Sequence, residues 1–137
     1  MPDQPLSLSL LIKQSEATLR SRLQPVLDAA GLSAEQWRVV GVLLDAPGTR
    51  MTELADAAVV PAATLTRLVD RLVEDGVVVR RVDPDDRRRV VGALSPRGAE
   101  VARDLRAAEE RLERELRAGL GPDRFDALVA DLTTIVG

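Results

Sequence analysis

The spacing of apolar residues changes from the period of a helix to that of a strand at Gly76. Before it, the segment 61–75 places leucine and valine at the i, i+3, i+4 and i+7 intervals of an amphipathic helix. After it come two short β-branched stretches, 77–82 and 89–94, separated by the Asp- and Pro-rich letters "DPDDRR". Such stretches on either side of a turn sequence predict a β-hairpin. A helix that leads directly into a hairpin limits strongly how the remaining helices can be arranged.

The rest of the chain has helical spacing. The segment 5–31 contains Pro25, which we expect to kink the helix or break it near residues 21–24. "SAEQ" at 33–36 is a capping box that starts a second helix, and "SPRG" at 95–98 starts a long one with proline at its first position. After "LGPD", a last helix is expected to place five apolar residues inward: Phe125, Leu128, Val129, Leu132 and Val136.

The predicted order of elements is four helices, a hairpin and two helices. Residues 51–94 alone contain a short helix, a brief turn, a second helix and the hairpin, which is the winged helix-turn-helix arrangement. The fold class is therefore mainly α with a small β-hairpin wing (α+β). A length of 137 residues fits a single domain, 1–137, with the winged core at 33–95 and long helices at 5–31 and 96–137.

Composition excludes several classes of function. The chain has no cysteine and no histidine, so we expect no disulfide, no thiol chemistry and no metal site. No carboxylate pair lies in a recognisable catalytic motif, and we predict neither enzyme activity nor a cofactor. With one Trp, one Phe and no Tyr, stacking of bases on an aromatic platform is not expected.

The sequence also bears on localisation. No stretch approaches the length needed to span a membrane. The apolar letters near the start follow no basic residue and precede no small-residue cleavage site. Together with the absence of cysteine, these features predict a cytoplasmic protein without a membrane partner.

The exposed face of the segment 61–75 carries groups that suit DNA. In a helix-turn-helix the second helix enters the major groove by its N-terminal half. An arginine at position 67 can bind a guanine edge through two hydrogen bonds, and threonine can contact a phosphate or a thymine methyl group. Taken alone, two arginines on an amphipathic helix are more often a solvated face. The predicted contact residues are Ala63, Thr64, Thr66, Arg67 and Arg71.

The turn of the hairpin places three consecutive arginines, Arg87, Arg88 and Arg89, behind three aspartates. A carboxylate can pair with an arginine of the same turn and fix its direction. We expect Asp86 to direct Arg88 in this way toward a minor groove, where the negative potential is strongest. Residues 61–92 contain seven arginines and six acids, so the excess negative charge of the chain, -3 in total, lies elsewhere.

The stretches "LSAEQWRVVGVL" and "MTELADAAVVPAATLTRLVDRLVEDGVVVRRVDPDDRRRVVGALSPRG", with the long helices around them, resemble the MarR-type winged-helix transcription regulators. The most specific pieces are "TLTRLVDRLVEDGVVVR", the Asp-x-Arg of the wing and "LSPRG". By this resemblance Thr64 and Arg67 contact the major groove, while Arg88, oriented by Asp86, enters the minor groove. The resemblance further implies a homodimer, joined through its terminal helices, that binds a palindromic operator in double-stranded DNA. We expect a repressor, although activation is also compatible with the sequence.

The resemblance also concerns small molecules. Family members that sense oxidants use a cysteine near the start of the first helix, and members that sense metals use histidine, cysteine and acidic residues; this chain contains neither histidine nor cysteine. Many members bind small aromatic or phenolic compounds between the dimer helices and the DNA-binding part, where the resemblance places Trp37. A core tryptophan is the simpler interpretation. A small-molecule effector that relieves repression therefore stays an open alternative.

Two classes of function account for these features. The first is a sequence-specific, dimeric DNA-binding regulator with its recognition helix at 61–75 and its wing at 83–89. The second is a winged-helix module for protein–protein interaction, whose basic wing binds an acidic partner. Salt-dependent binding to a palindromic duplex would separate them, because only the first class predicts it.

Overall fold

A computed structural model describes residues 6–137, so the first residue of the segment 5–31 lies outside the described part. The elements are α1 (Leu8–Ala30), α2 (Ala34–Asp45), α3 (Met51–Ala58), α4 (Ala62–Glu74), β1 (Val78–Val82), β2 (Val90–Leu94), α5 (Pro96–Leu120) and α6 (Pro122–Val136). This order confirms the predicted fold class of a mainly helical chain with one hairpin. Within the described residues, no helix has an apolar stretch long enough to cross a bilayer.

Helix α1 continues through Pro25, so of the two predicted alternatives, a kink or a break near residues 21–24, the break does not occur. Proline inside a helix removes one hydrogen bond and costs about 3 kcal/mol. Around Pro25 the apolar side chains of Leu23, Val26 and Leu27 pack on the core, which offsets that cost. The helix ends at Gly31, whose φ of 71° is the left-handed conformation that glycine adopts most easily.

Helix α2 is the centre of the core. Its capping box forms as predicted: the Gln36 amide donates to Ser33 Oγ (3.1 Å) and the Ser33 amide donates to Gln36 Oε1 (3.0 Å). Behind this cap, Trp37, Val39, Val40 and Leu43 are buried, and α2 packs against α1, α3, α4, α5 and β2. The second helix thus joins the winged part to the long terminal helices.

Helices α3 and α4 form the helix-turn-helix. The turn passes through Val59, whose positive φ of 55° is unusual for a β-branched residue. Arg38 of α2 supports this turn, donating to the carbonyl oxygens of Ala58 (2.8 Å) and Val59 (3.3 Å). Helix α4 is one residue shorter at each end than the predicted 61–75, because Pro61 is its N-cap and the C-cap follows Glu74.

Strands β1 and β2 pair antiparallel, with Val78 opposite Leu94 and Val82 opposite Val90. The predicted hairpin is therefore confirmed. Each strand begins one residue later than predicted, β1 at Val78 and β2 at Val90. The sequence did not predict that a third segment would pair with the hairpin. Arg50, just before α3, forms an isolated antiparallel bridge with Val91 of β2.

Helix α5 begins very close to the hairpin. Its N-cap is Ser95, whose side chain accepts from the Gly98 amide (2.9 Å), and Pro96 occupies the first position as predicted. A Cβ added at Gly98 would lie 2.9 Å from the carbonyl carbon of Val77, and closer still to its oxygen. Only glycine lets the first turn of α5 approach the backbone before β1 to this distance.

Helix α6 differs most from the prediction. Of its five apolar residues expected to face inward, Phe125 is half-buried, whereas Leu128, Val129, Leu132 and Val136 are exposed. The prediction that these residues face inward is therefore wrong for the single chain. Helix α6 packs against α5 but has no fully buried residue. Its amphipathic pattern belongs to a surface that the chain itself does not cover.

Candidate nucleic-acid interface

The outer face of α4 is polar and basic. Ala63, Thr66, Arg67 and Arg71 are exposed, and Thr64 is half-buried, while the opposite face of the helix is buried in the core. All five predicted contact residues thus lie on α4, although Thr64 offers less of its side chain than the others. The structure brings them together on one helix at the end of the helix-turn-helix.

Ion pairs engage two of the acids near the C-terminal end of α4. Asp75 lies 3.7 Å from Arg71 Nε, and Asp70 forms an ion pair with Arg80 of β1. The Asp70–Arg80 pair also fastens the hairpin to α4. Each of these carboxylates therefore locally offsets the positive charge of the arginine that it pairs with, Arg71 or Arg80.

The wing loop, residues 83–89, is closed by backbone hydrogen bonds. The Asp83 amide donates to the Arg89 carbonyl (2.9 Å), and the Arg89 amide donates to the Asp86 carbonyl (2.9 Å). At the outer end of this loop the side chain of Arg88 is 95% exposed, and Arg87 is exposed as well. The loop therefore presents arginine side chains to solvent on a closed backbone.

Asp86 lies among the wing arginines. One carboxylate oxygen accepts from the Arg88 amide (3.0 Å) and lies 3.7 Å from Arg88 Nε, and the other lies 3.4 Å from Arg89 Nε. The sequence predicts that Asp86 directs Arg88. In the structure its carboxylate contacts two arginines.

Asp83 is not at the outer end of the wing, although the sequence grouped it with the other turn acids. It is 4% exposed, accepts from the Asp85 amide (2.9 Å) and binds Arg50 Nε through Oδ2 (3.0 Å). The hydrogen bond from the Asp85 amide is the largest single cause that lowers the pKa of Asp83; the hydrogen bond and the charge of Arg50 lower it as well, and desolvation opposes them. Sequence analysis missed Arg50, because it precedes Asp83 by 33 residues and belongs to no local motif.

Trp37 lies elsewhere, on α2. It is 6% exposed, as a core residue would be, and its ring also lines a groove of about 660 Å³ between α1, α2 and α6. The Arg106 guanidinium lies 5.9 Å from the ring centroid and binds Asp45 (2.8 Å). Burial raises the pKa of Glu109, while hydrogen bonding to Trp37 and the charge of Arg106 oppose the rise. Both interpretations of Trp37, core residue and groove wall, thus describe the same side chain.

Within residues 6–137 no group of three or more His, Asp or Glu side chains is placed to hold a metal ion. The predicted site residues lie in two separate regions. One is the basic surface of α4 and the wing, and the other is the groove beside Trp37.

Comparison with known proteins bears on the first of these regions. The family model described as "MarR family" matches residues 30–89, which include the helix-turn-helix and most of the wing. Among curated proteins, the homoprotocatechuate degradative operon repressor of Escherichia coli is 25% identical over 122 residues, covering 89% of this chain and 82% of the repressor.

Solved structures share the whole architecture. The transcriptional repressor CouR, bound to a 23-mer DNA duplex, superposes with a TM-score of 0.81 at 28% identity over 96% of this chain and 93% of CouR. NadR in complex with 4-hydroxyphenylacetate superposes with a TM-score of 0.84 at 25% identity over 99% of this chain and 97% of NadR. The chain therefore has the winged helix-turn-helix fold of these regulators, and over residues 30–89 its sequence is similar to the MarR family.

Proposed function

We propose that this chain is a dimeric transcriptional repressor that binds a palindromic operator. The observation that carries the proposal is the exposed basic surface formed by α4 and the wing, on a helix-turn-helix whose other side is buried. Arg67 and Arg88 are the central residues of this surface. CouR, which has the same architecture, binds a DNA duplex, and the curated relative is named a repressor.

Each part of this surface has a distinct role in the proposal. Arg67, with Thr64 and Thr66 beside it, contacts base edges in the major groove, where guanine offers two acceptors to one guanidinium. Arg88 enters the adjacent minor groove and responds to its width and potential. Arg71, Arg87 and Arg89 contact phosphates, and Ala63 leaves room for the close approach of the backbone.

The uncovered apolar faces of α1 and α6 support a homodimer. Leu8, Leu11 and Ile12 of α1 are exposed, as are Leu132 and Ile135 of α6, and all five line the same groove. Contiguous apolar surface of this kind usually marks a protein–protein interface. We propose that a second copy of the chain covers it, since two helix-turn-helix units related by a two-fold axis then match a palindromic site.

The inner end of the groove, at Trp37, is our proposed site for a small-molecule effector. It combines an aromatic ring with the guanidinium of Arg38 and the carboxylate of Glu109. NadR binds 4-hydroxyphenylacetate, and by analogy we propose a small aromatic acid for this chain. Because Arg38 also holds the turn before α4, a ligand there would contact the support of the recognition helix. Transcriptional regulation implies a cytoplasmic protein, and the proposal includes that location.

Selection of bound sequences from random duplex DNA tests the proposed function. We expect an inverted repeat whose half-sites lie about 10 bp apart, centre to centre. Arg67→Ala should cost about 1–3 kcal/mol per half-site and relax the preference at one position. Arg111→Ala removes the same charge from the exposed surface of α5 and serves as the matched control.

A direct repeat, or full affinity for a single half-site, would contradict the symmetric dimer. Failure to enrich any sequence, combined with binding to an acidic protein surface, would instead support the protein-interaction class. Equal losses from Arg67→Ala and Arg111→Ala would mean that position 67 contributes only its charge.

A further inference from the structure

The wing loop is held at its base by a pair of residues from distant parts of the chain. Asp83 is the first residue of the loop and is almost fully buried. Its Oδ1 accepts from the Asp85 amide inside the loop, and its Oδ2 binds Arg50, which immediately precedes α3. We call this the Arg50–Asp83 pair.

Backbone contacts hold the same two segments together. Arg50 bridges Val91 of β2, and the Gly92 amide donates to the Thr49 carbonyl (3.4 Å). The Asp83 amide also binds the Arg89 carbonyl, which closes the loop. The segment 49–50 thus pairs with β2 as a short third strand-like segment, and the Arg50–Asp83 pair lies where this segment meets the base of the loop.

We propose that Arg50 is a positioning residue for DNA binding, which fixes the direction in which the wing loop leaves the hairpin and so determines where Arg88 reaches. The inference rests on the proposed function. The loop itself has few contacts at its outer end, so its direction depends on its base. A loop held before binding loses less conformational entropy when Arg88 enters a groove.

The rival explanation is that Arg50 contacts a phosphate directly. Arg50, Thr52 and Arg89 line a depression of about 350 Å³ between the start of α3 and the wing, and the Arg50 side chain is 36% exposed. Its guanidinium is therefore accessible in part. The two roles make different predictions when Arg50 and Arg88 are changed together.

A double-mutant cycle on the selected operator separates the two roles. Arg88→Ala, Arg50→Met and the double variant are compared by fluorescence anisotropy over a salt series. If Arg50 acts through Arg88, Arg50→Met weakens operator binding by about tenfold in the wild-type background and by less than about twofold in the Arg88→Ala background. If Arg50 contacts phosphate, the two losses multiply, the salt slopes fall independently, and the proposal is overturned.

A second comparison does not depend on replacing Arg50. Asp83→Asn removes one negative charge near DNA, which by itself should tighten binding, and it frees Arg50 for any phosphate. We expect it to weaken operator binding nonetheless, because the loop loses its anchor. The matched control is Asp85→Asn, an exposed acid of the same loop whose backbone amide keeps its bond to Asp83.

Tighter or unchanged operator binding by Asp83→Asn would overturn the positioning role. Arg111→Met controls for the loss of a positive charge, and thermal unfolding followed by circular dichroism checks that each variant is folded. If the wild-type protein bound no duplex at all, the proposed function and this inference would both fail. Wild-type binding with a multiplicative cycle would remove only the inference.

Discussion

Replacing Gly98 by alanine should separate the start of α5 from the hairpin. The added Cβ would lie 2.9 Å from the carbonyl carbon of Val77 and 3.2 Å from its Cα, with the oxygen nearer than either. These are backbone atoms, and the same carbonyl accepts from the Ser95 amide (3.0 Å). No rotamer change can relieve the contact, so α5 or the hairpin must move by about an ångström or more.

The expected cost follows from this geometry. Overpacking that flexible side chains can partly absorb typically costs about 1–3 kcal/mol. Because the obstacle here is hydrogen-bonded backbone, we expect Gly98→Ala to lower the free energy of unfolding by about 3 kcal/mol, the upper end of that range. For a chain of this size the melting temperature should fall by roughly 6–12 °C.

Gly119→Ala is the control, since it makes the same change in the same helix. A Cβ at Gly119 meets no heavy atom within 4 Å. Alanine also loses less conformational freedom than glycine when it enters a helix, so this variant should gain about 0.5–1 kcal/mol. The two substitutions should therefore change stability in opposite directions.

Urea unfolding followed by the fluorescence of Trp37, the single tryptophan of the chain, measures both effects. All variants should be compared at one protein concentration, because a dimer gains stability with concentration. A Gly98→Ala protein within about 0.5 kcal/mol of wild type would refute the argument, since it would mean that the approach of α5 to Val77 is not needed in solution.

Three further predictions follow from the wing, from α6 and from the buried acid. Asp86→Ala should weaken operator binding but leave binding to a scrambled duplex equal or stronger, because it removes a negative charge together with the contacts to Arg88; equal tightening of both in anisotropy would contradict an orienting role. Leu132→Glu should convert the dimer to a monomer in light scattering, because it places a charge on the proposed interface; an unchanged dimer mass would exclude that face. Because the pKa of Asp83 is lowered in the folded state, this carboxylate stabilises the fold at pH values above 3.8, its ordinary pKa. The contribution is lost as pH falls through the folded-state pKa. Below pH 3.8 the free energy of unfolding should therefore fall less steeply with decreasing pH for Asp83→Asn than for wild type. Identical slopes would contradict the pair's contribution.

Features that depend on neighbours in sequence were predictable. The Ser33 capping box, the Ser95 cap with proline behind it and the change of period at Gly76 each lie within a few residues, and the structure has all three. Helix propensity and capping act over this range. The exposed face of α4 was predictable for the same reason, because the helical period separates it from the buried face.

Features that depend on distant partners were not predictable. Asp83 has the same local surroundings as its neighbouring acids, and only the folded chain brings Arg50 to it. The effect of Pro25 on α1 could not be predicted, because helix propensity says nothing about the packing around that residue. The pattern of α6 showed an amphipathic helix correctly, but an apolar stripe does not specify whether its own chain or a second copy covers it.

The exposed face of α6 has a consequence for how the amount of this protein controls a gene. If the finished DNA-binding unit requires two chains, its concentration rises with the square of the chain concentration wherever free chains predominate. Halving synthesis would then remove about three-quarters of the binding units. A promoter under such control would respond more steeply to dilution at cell growth, or to proteolysis, than one held by a protein that is complete as a single chain.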